Sequence, residues 1–234
     1  MQLHRFGRGG EHSQVDHVHA PLPLDVDVVG PTGVTTLVRV EIAGRSLSTG
    51  AGLSESIMLF KRQEGTDAWA EAGRERAALR AFVDHAVFSA SGLAPDQPHG
   101  SVLVVATPTG PVTRSTGFAP MSADDAKGWL RNVVRDLLQG THAFFLPCEA
   151  VFVHAGRSDE PIAASLEKAR TLLARSDGPP TLKSAYGPVP RPHLYPSPAA
   201  PAADAMIARR FGAYLDRRTR RGGGTGGGES GGDS

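Results

Sequence analysis

Ser122-Ala123-Asp124-Asp125-Ala126-Lys127-Gly128-Trp129-Leu130-Arg131-Asn132-Val133-Val134-Arg135-Asp136-Leu137-Leu138-Gln139-Gly140 reads as one amphipathic helix, and the fold class follows from what flanks it. Ser122 is a good N-cap, with Asp125 at the third helical position in a variant of the capping box. Trp129, Leu130, Val133, Val134, Leu137 and Leu138 predict a continuous apolar face. Gly140 supplies the C-terminal stop. Upstream the period is two. Leu24, Val26 and Val28 alternate with Asp25 and Asp27, and Val34 to Ile42 alternates again, across the turn residues Pro31-Thr32-Gly33. These two runs predict a hairpin. Ala43 to Glu55 reads as a looser Gly/Ser segment, and Ile57 to Arg62 as a third, more buried strand. Residues 69–90 read as a helix with Leu79, Phe82, Val83, Ala86 and Val87 on one stripe, stopped by Gly92 and Pro95. Ser101–Thr107 and Val112–Phe118 read as strands, the second a hairpin partner of the first.

Downstream, Ala150–Val153 is expected to be a short strand. Pro161–Ala174 is expected to be a helix with proline at its start. A last helix is expected over 203–218. The order predicts an α/β (α+β) chain with a mixed central sheet flanked by helices. The domain reading is a disordered lead-in over 1–20, one domain over 21–218 with a Pro-rich segment at 176–201, and a disordered Gly-rich tail over 219–234. Eight of the thirteen residues from Gly222 onward are glycine, too many to offset the ordering entropy.

Composition narrows the function classes. The 234 residues carry a formal net charge of +1, so no strongly charged partner follows from overall electrostatics. Arg outnumbers Lys 21 to 4, which fits a GC-rich coding sequence. Cys148 is the single cysteine, which excludes an internal disulfide and a multi-cysteine zinc site. Its neighbours Phe144-Phe145-Leu146-Pro147 make a small buried hydrophobe the expected role. The longest apolar run is about five residues, far short of a membrane span. No apolar h-region follows Met1, and a cytoplasmic, membrane-free protein is the expectation. His12, His17 and His19 lie in the lead-in, where no element fixes them for metal binding.

Three ordered segments resemble the C-terminal domain of the gamma subunit of exodeoxyribonuclease V, of the RecBCD-type helicase-nuclease complex. Arg80-Ala81-Phe82-Val83-Asp84-His85-Ala86-Val87 is similar to that family's helix with tryptophan and histidine, with Phe82 where tryptophan is usual. Phe118-Ala119-Pro120-Met121, leading into the helix that ends at Gly140, resembles the family's strand exit. Phe144-Phe145-Leu146-Pro147 resembles its proline-leucine-proline-phenylalanine segment, and Arg209-Arg210-Phe211-Gly212 its last helix. The resemblance implies a restriction-endonuclease-like fold with a degenerate PD-(D/E)XK core. It also implies a role in double-strand-break repair and recombination. The family's larger helicase-like portion is absent, so the chain would be a fragment, a split gene product or a stand-alone descendant. The implied partners are the helicase-nuclease beta subunit, the alpha helicase subunit and DNA. ATP and Mg²⁺ would enter only through those partners.

The chemistry of such a nuclease needs converging carboxylates to hold Mg²⁺, and a Lys two residues after one of them. Lys61 stands at the end of the third strand, but Leu59 occupies the position two before it. Glu41 and Glu55 are the acids nearest in sequence. A rewired Glu41/Glu55/Lys61 site, in a small active Mg-dependent nuclease, is the alternative to a non-catalytic domain. An unrelated structural binding domain is a third reading. For DNA contact the candidates are Lys61, Arg62, Arg209, Arg210, Arg217 and Arg218. The crowding of arginine at the last helix fits a solvated helix end whose positive charge complements the dipole, with phosphate contact as the alternative. No Gly-x-Ser-x-Gly elbow and no P-loop occur.

Overall fold

The computed structural model describes residues 15–18, 20–43, 45–48, 55–60, 68–94, 96–107, 110–139, 144–156, 161–174 and 195–220. The chain is mixed α/β, with helices packed on a mixed sheet and a separate hairpin. The strands are β1 (Val15–Val18), β2 (Leu22–Val29), β3 (Thr35–Ile42), β4 (Arg45–Ser48), β5 (Glu55–Phe60), β6 (His99–Thr107), β7 (Gly110–Phe118) and β8 (Arg218–Arg220). The helices are α1 (Ala68–Ala90), α2 (Ala123–Leu138), α3 (Cys148–Ala155), α4 (Ile162–Ala174) and a last helix in three parts. Those parts are α5 (Ala200–Ile207), a π-helical turn (Ala208–Gly212) and α6 (Ala213–Arg217). Six strands form one sheet in the order β1-β4-β5-β6-β7-β8, while β2 and β3 pair only with each other.

β5 and β6 are parallel, and every other neighbouring pair is antiparallel. Parallel neighbours need a long connection. The 23-residue α1 supplies it and packs against β5 and β6. Its other side meets α2 and α3, and α2 in turn packs against β2. The layers therefore run sheet, α1, α2, hairpin. One hydrophobic cluster joins Leu22 of β2 to Tyr214 of α6.

The Pro31-Thr32-Gly33 turn forms as read. Gly33 donates to the Gly30 carbonyl at 2.9 Å and has φ +80°, the left-handed conformation that a three-residue hairpin loop demands. The Ser122 hydroxyl accepts from the Asp125 amide at 3.1 Å, as the capping pattern predicts. Gly140, the expected stop, lies outside the described residues, as do Gly222–Ser234 and the Pro-rich 176–194.

Several expectations are corrected. Ala150–Val153 is helical, inside α3. A short apolar run does not distinguish a buried strand from a buried helix. Here it packs between α1 and α4, with Ala150, Val151, Phe152 and Val153 all buried. α1 has no single apolar stripe, because it has neighbours on both sides. Ala81, Phe82, His85, Ala86, Phe88 and Ser89 are all buried, and Leu79, Val83 and Val87 only half so. The apolar face of α2 is shorter than read: Leu137 and Leu138 are exposed. Strands also form where none was expected. β1 lies within the lead-in, β4 within the Gly/Ser segment, and the last helix ends at Arg217, so that β8 pairs with β7.

Candidate functional site

α1 brings Phe82 to the centre of the molecule, fully buried. Its ring meets Phe118 edge-on at 5.3 Å, Trp129 at 5.1 Å and Tyr214 at 5.6 Å between centroids. Such tilted pairs favour the positive ring edge over the negative face. Four elements thus lock on one side chain: α1, the end of β7, α2 and α6. One turn on, the Nε2–H of His85 donates to the Ala119 carbonyl at 3.1 Å, and the ring stacks on His99 at 5.4 Å. The amide of the same Ala119 donates to the Arg217 carbonyl at 2.8 Å. The strand exit, α1 and the last helix are tied at one residue.

Burial pulls the His85 pKa below its ordinary value. The bond to Ala119 opposes that shift, and the Arg217 charge reinforces it. In the unfolded chain the ring takes a proton at about pH 6.5. The neutral buried ring therefore contributes full stability above that pH, and the contribution declines as pH falls below it. The thermal midpoint should drop between pH 7 and pH 5, and His85→Gln should flatten that slope. An equal slope in the variant would assign the acid sensitivity elsewhere.

The last helix and the start of β8 carry Arg209, Arg210, Arg217 and Arg218, and the structure shows what holds each. Asp136 of α2 is buried and receives Arg209 at 3.1 Å and Arg210 at 2.7 Å. Trp129 donates its indole N–H to the Arg210 carbonyl at 3.1 Å. Both arginines lie in the π turn, whose wider winding brings neighbouring residues toward one side of the helix. Arg217 pairs with Asp125 at 3.1 Å. Arg218 pairs with Glu75, which also accepts from the Tyr214 hydroxyl at 3.2 Å. Burial and the Glu75 carboxylate raise the Tyr214 pKa far above its ordinary value, so the phenol stays protonated as a donor. Each of the four arginines is thus engaged by an acid of α1 or α2.

Glu41 and Glu55 do not share a sheet. Glu41 lies exposed on β3, in the two-stranded hairpin, whereas Glu55 begins β5 of the six-stranded sheet. Lys61 and Arg62 lie outside the described residues. Leu59 pairs in register with Val104 of β6, with no carboxylate at that position. Among the described residues no group of three or more His, Cys, Asp or Glu converges as a metal site requires.

Two buried acids went unmarked by pattern reading. Asp136 is seven residues after Trp129, on the same face of α2. Glu149 stands inside the apolar run from Phe144 to Val153. A charge on an apolar stripe calls for a buried partner, and each has one. Glu149 has no exposed surface and meets Arg76 of α1 at 2.9 Å. Its other oxygen accepts from the Cys148 thiol at 3.3 Å. Burial, then the Glu149 charge, push the Cys148 thiol well above its ordinary range. Native protein at pH 8 should therefore react with a thiol reagent far more slowly than protein unfolded in urea. Equal rates would place the thiol at the surface.

No family model matches the chain, and no curated protein matches it either. No described helix is long and apolar enough to cross a membrane.

Proposed function

We propose that this chain is a non-catalytic, DNA-guiding part of an exodeoxyribonuclease V complex, a restriction-endonuclease-like domain that has lost its metal site. The observation that carries the reading is the convergence on Phe82. The segments that resemble the gamma subunit are Arg80–Val87, Phe118–Met121 with the helix through Trp129, Phe144–Pro147 and Arg209–Gly212. They lie far apart in sequence, yet Phe82 touches Phe118 and Trp129, and Phe145 and Phe211 are buried in the same core cluster. A shared packing motif of this kind preserves a fold without preserving chemistry. The succession of β4, antiparallel β5, the α1 crossover and parallel β6 gives the mixed, helix-flanked sheet that such a domain uses. Leu59 in place of an acid, and Glu41 and Glu55 in separate sheets, support a role without catalysis. The arginines of the last helix are the surface offered to DNA backbone, and ATP and Mg²⁺ belong to the partner subunits.

Two measurements test this. Affinity purification from cells is expected to bring down a helicase-nuclease subunit, and recovery of the chain without one would defeat the proposal. Linear DNA with Mg²⁺ should stay undigested by the purified chain. Digestion that disappears in Glu41→Ala, Glu55→Ala or Lys61→Ala would instead establish the small-nuclease reading.

A further inference from the structure

The β2–β3 hairpin has two edges, and they are treated differently. On β2, the Asp25 and Asp27 carbonyls point away from β3 and accept from Arg131 at 3.2 Å and Arg135 at 2.9 Å. That edge is capped by α2. The same bonds set the phase of the ladder. Asp25 and Asp27 sit opposite Arg39 and Leu37 in pairs that do not bond each other, whereas Gly30 donates to the Val34 carbonyl. The amides and carbonyls of Thr35, Leu37, Arg39 and Glu41 therefore face outward from β3. No strand pairs with that edge among the described residues. The inner face of β3 is also incompletely covered. Val38, Val40 and Ile42 are half-buried, whereas Leu22, Leu24 and Val26 of β2 are buried. An uncapped eight-residue edge of this kind is a template for another strand.

We propose that a second copy of this chain occupies that edge, its β3 antiparallel to the first about a two-fold axis at Val40. Charge selects both the occupant and the register. Only residues whose backbone groups face outward can bond across the axis. Centring on Arg39 or on Glu41 would place like charges directly opposite. Centring on Val38 would place Arg39 opposite Leu37, with the two Arg39 residues on the diagonal. Centring on Val40 sets Arg39 against the second copy's Glu41 twice, both on the solvent face. It also sets Val40 against Val40 and Val38 against Ile42 on the inner face. The contact is isologous and closed, giving a four-stranded sheet with α2 of each copy on one side.

The test follows from the charge pattern. The full chain is followed by sedimentation over a concentration series, with thermal melts confirming that each variant folds. Wild type is expected to pass from monomer to dimer. Glu41→Arg and Arg39→Glu, each alone, should weaken dimerisation roughly tenfold or more, since two attractive pairs become repulsive. Mixing the two variants in equal amounts should restore a dimer, because every pair across the axis is then opposite in charge. A wild type that is monomeric at every concentration overturns the proposal, whatever other segment or protein covers the edge. So does a dimer indifferent to Glu41→Arg, or a mixture that fails to associate. These outcomes are separate from those of the purification and digestion experiments, which read recovery of a partner subunit and cleavage of DNA, not self-association.

Discussion

Phe82→Ala is expected to destabilise the chain by about 3–5 kcal/mol, the usual cost of removing a buried aromatic ring. Phe82 has no exposed surface and touches rings from β7, α2 and α6, so its loss leaves a cavity that no single element can close. Total stability of an ordinary domain is only about 5–15 kcal/mol, so a large share would go. Urea titration followed by circular dichroism measures it. The control is Leu137→Ala. Leu137 sits on the face of α2 that hydrophobic periodicity assigns to the core, yet it is 60% exposed. Its substitution should stay within about 0.5 kcal/mol of wild type. Comparable costs at the two positions would mean that the core is centred elsewhere.

The second large effect is expected at Arg76. Removing one partner of a buried ion pair leaves the other charge buried and uncompensated, at about 3–5 kcal/mol. Arg76→Ala would strand the Glu149 carboxylate, which has no exposed surface, between α1 and α3. Arg76 itself is 24% exposed, so the lower end of that range is the expected value. The double variant Arg76→Met with Glu149→Leu should recover most of the loss, because it removes the charges together and fills the volume. A double variant as unstable as Arg76→Ala would show that the pair's other contacts, and not its charge balance, hold α3 in place.

Much of the local architecture was legible because its causes are local. The Pro31-Thr32-Gly33 turn, the Ser122 cap, the alternation of β2 and the period of α4 each depend on residues within a few positions of one another. α3 was misread because its four apolar residues are compatible with either a strand or a helix. Only packing against α1 and α4 chooses. β1, β4 and β8 are short, and a strand of three or four residues exists only where a neighbour supplies its hydrogen bonds. Their sequences carry no such information.

For the candidate site the division is sharper. Leu59 two positions before Lys61 argued against a metal site from sequence alone, since leucine supplies no oxygen. The arginines at 209, 210, 217 and 218 were visible as a basic cluster. That Asp136, Asp125 and Glu75 hold them was not, because those acids lie on α1 and α2, 73 or more residues away. Sequence by itself showed that leucine stands two positions before Lys61 and which stretches alternate or cap. Tertiary structure decided which charges are paired and which strand edge has no neighbour among the described residues. Pairing and edge exposure depend on distances between elements, and no local pattern encodes them.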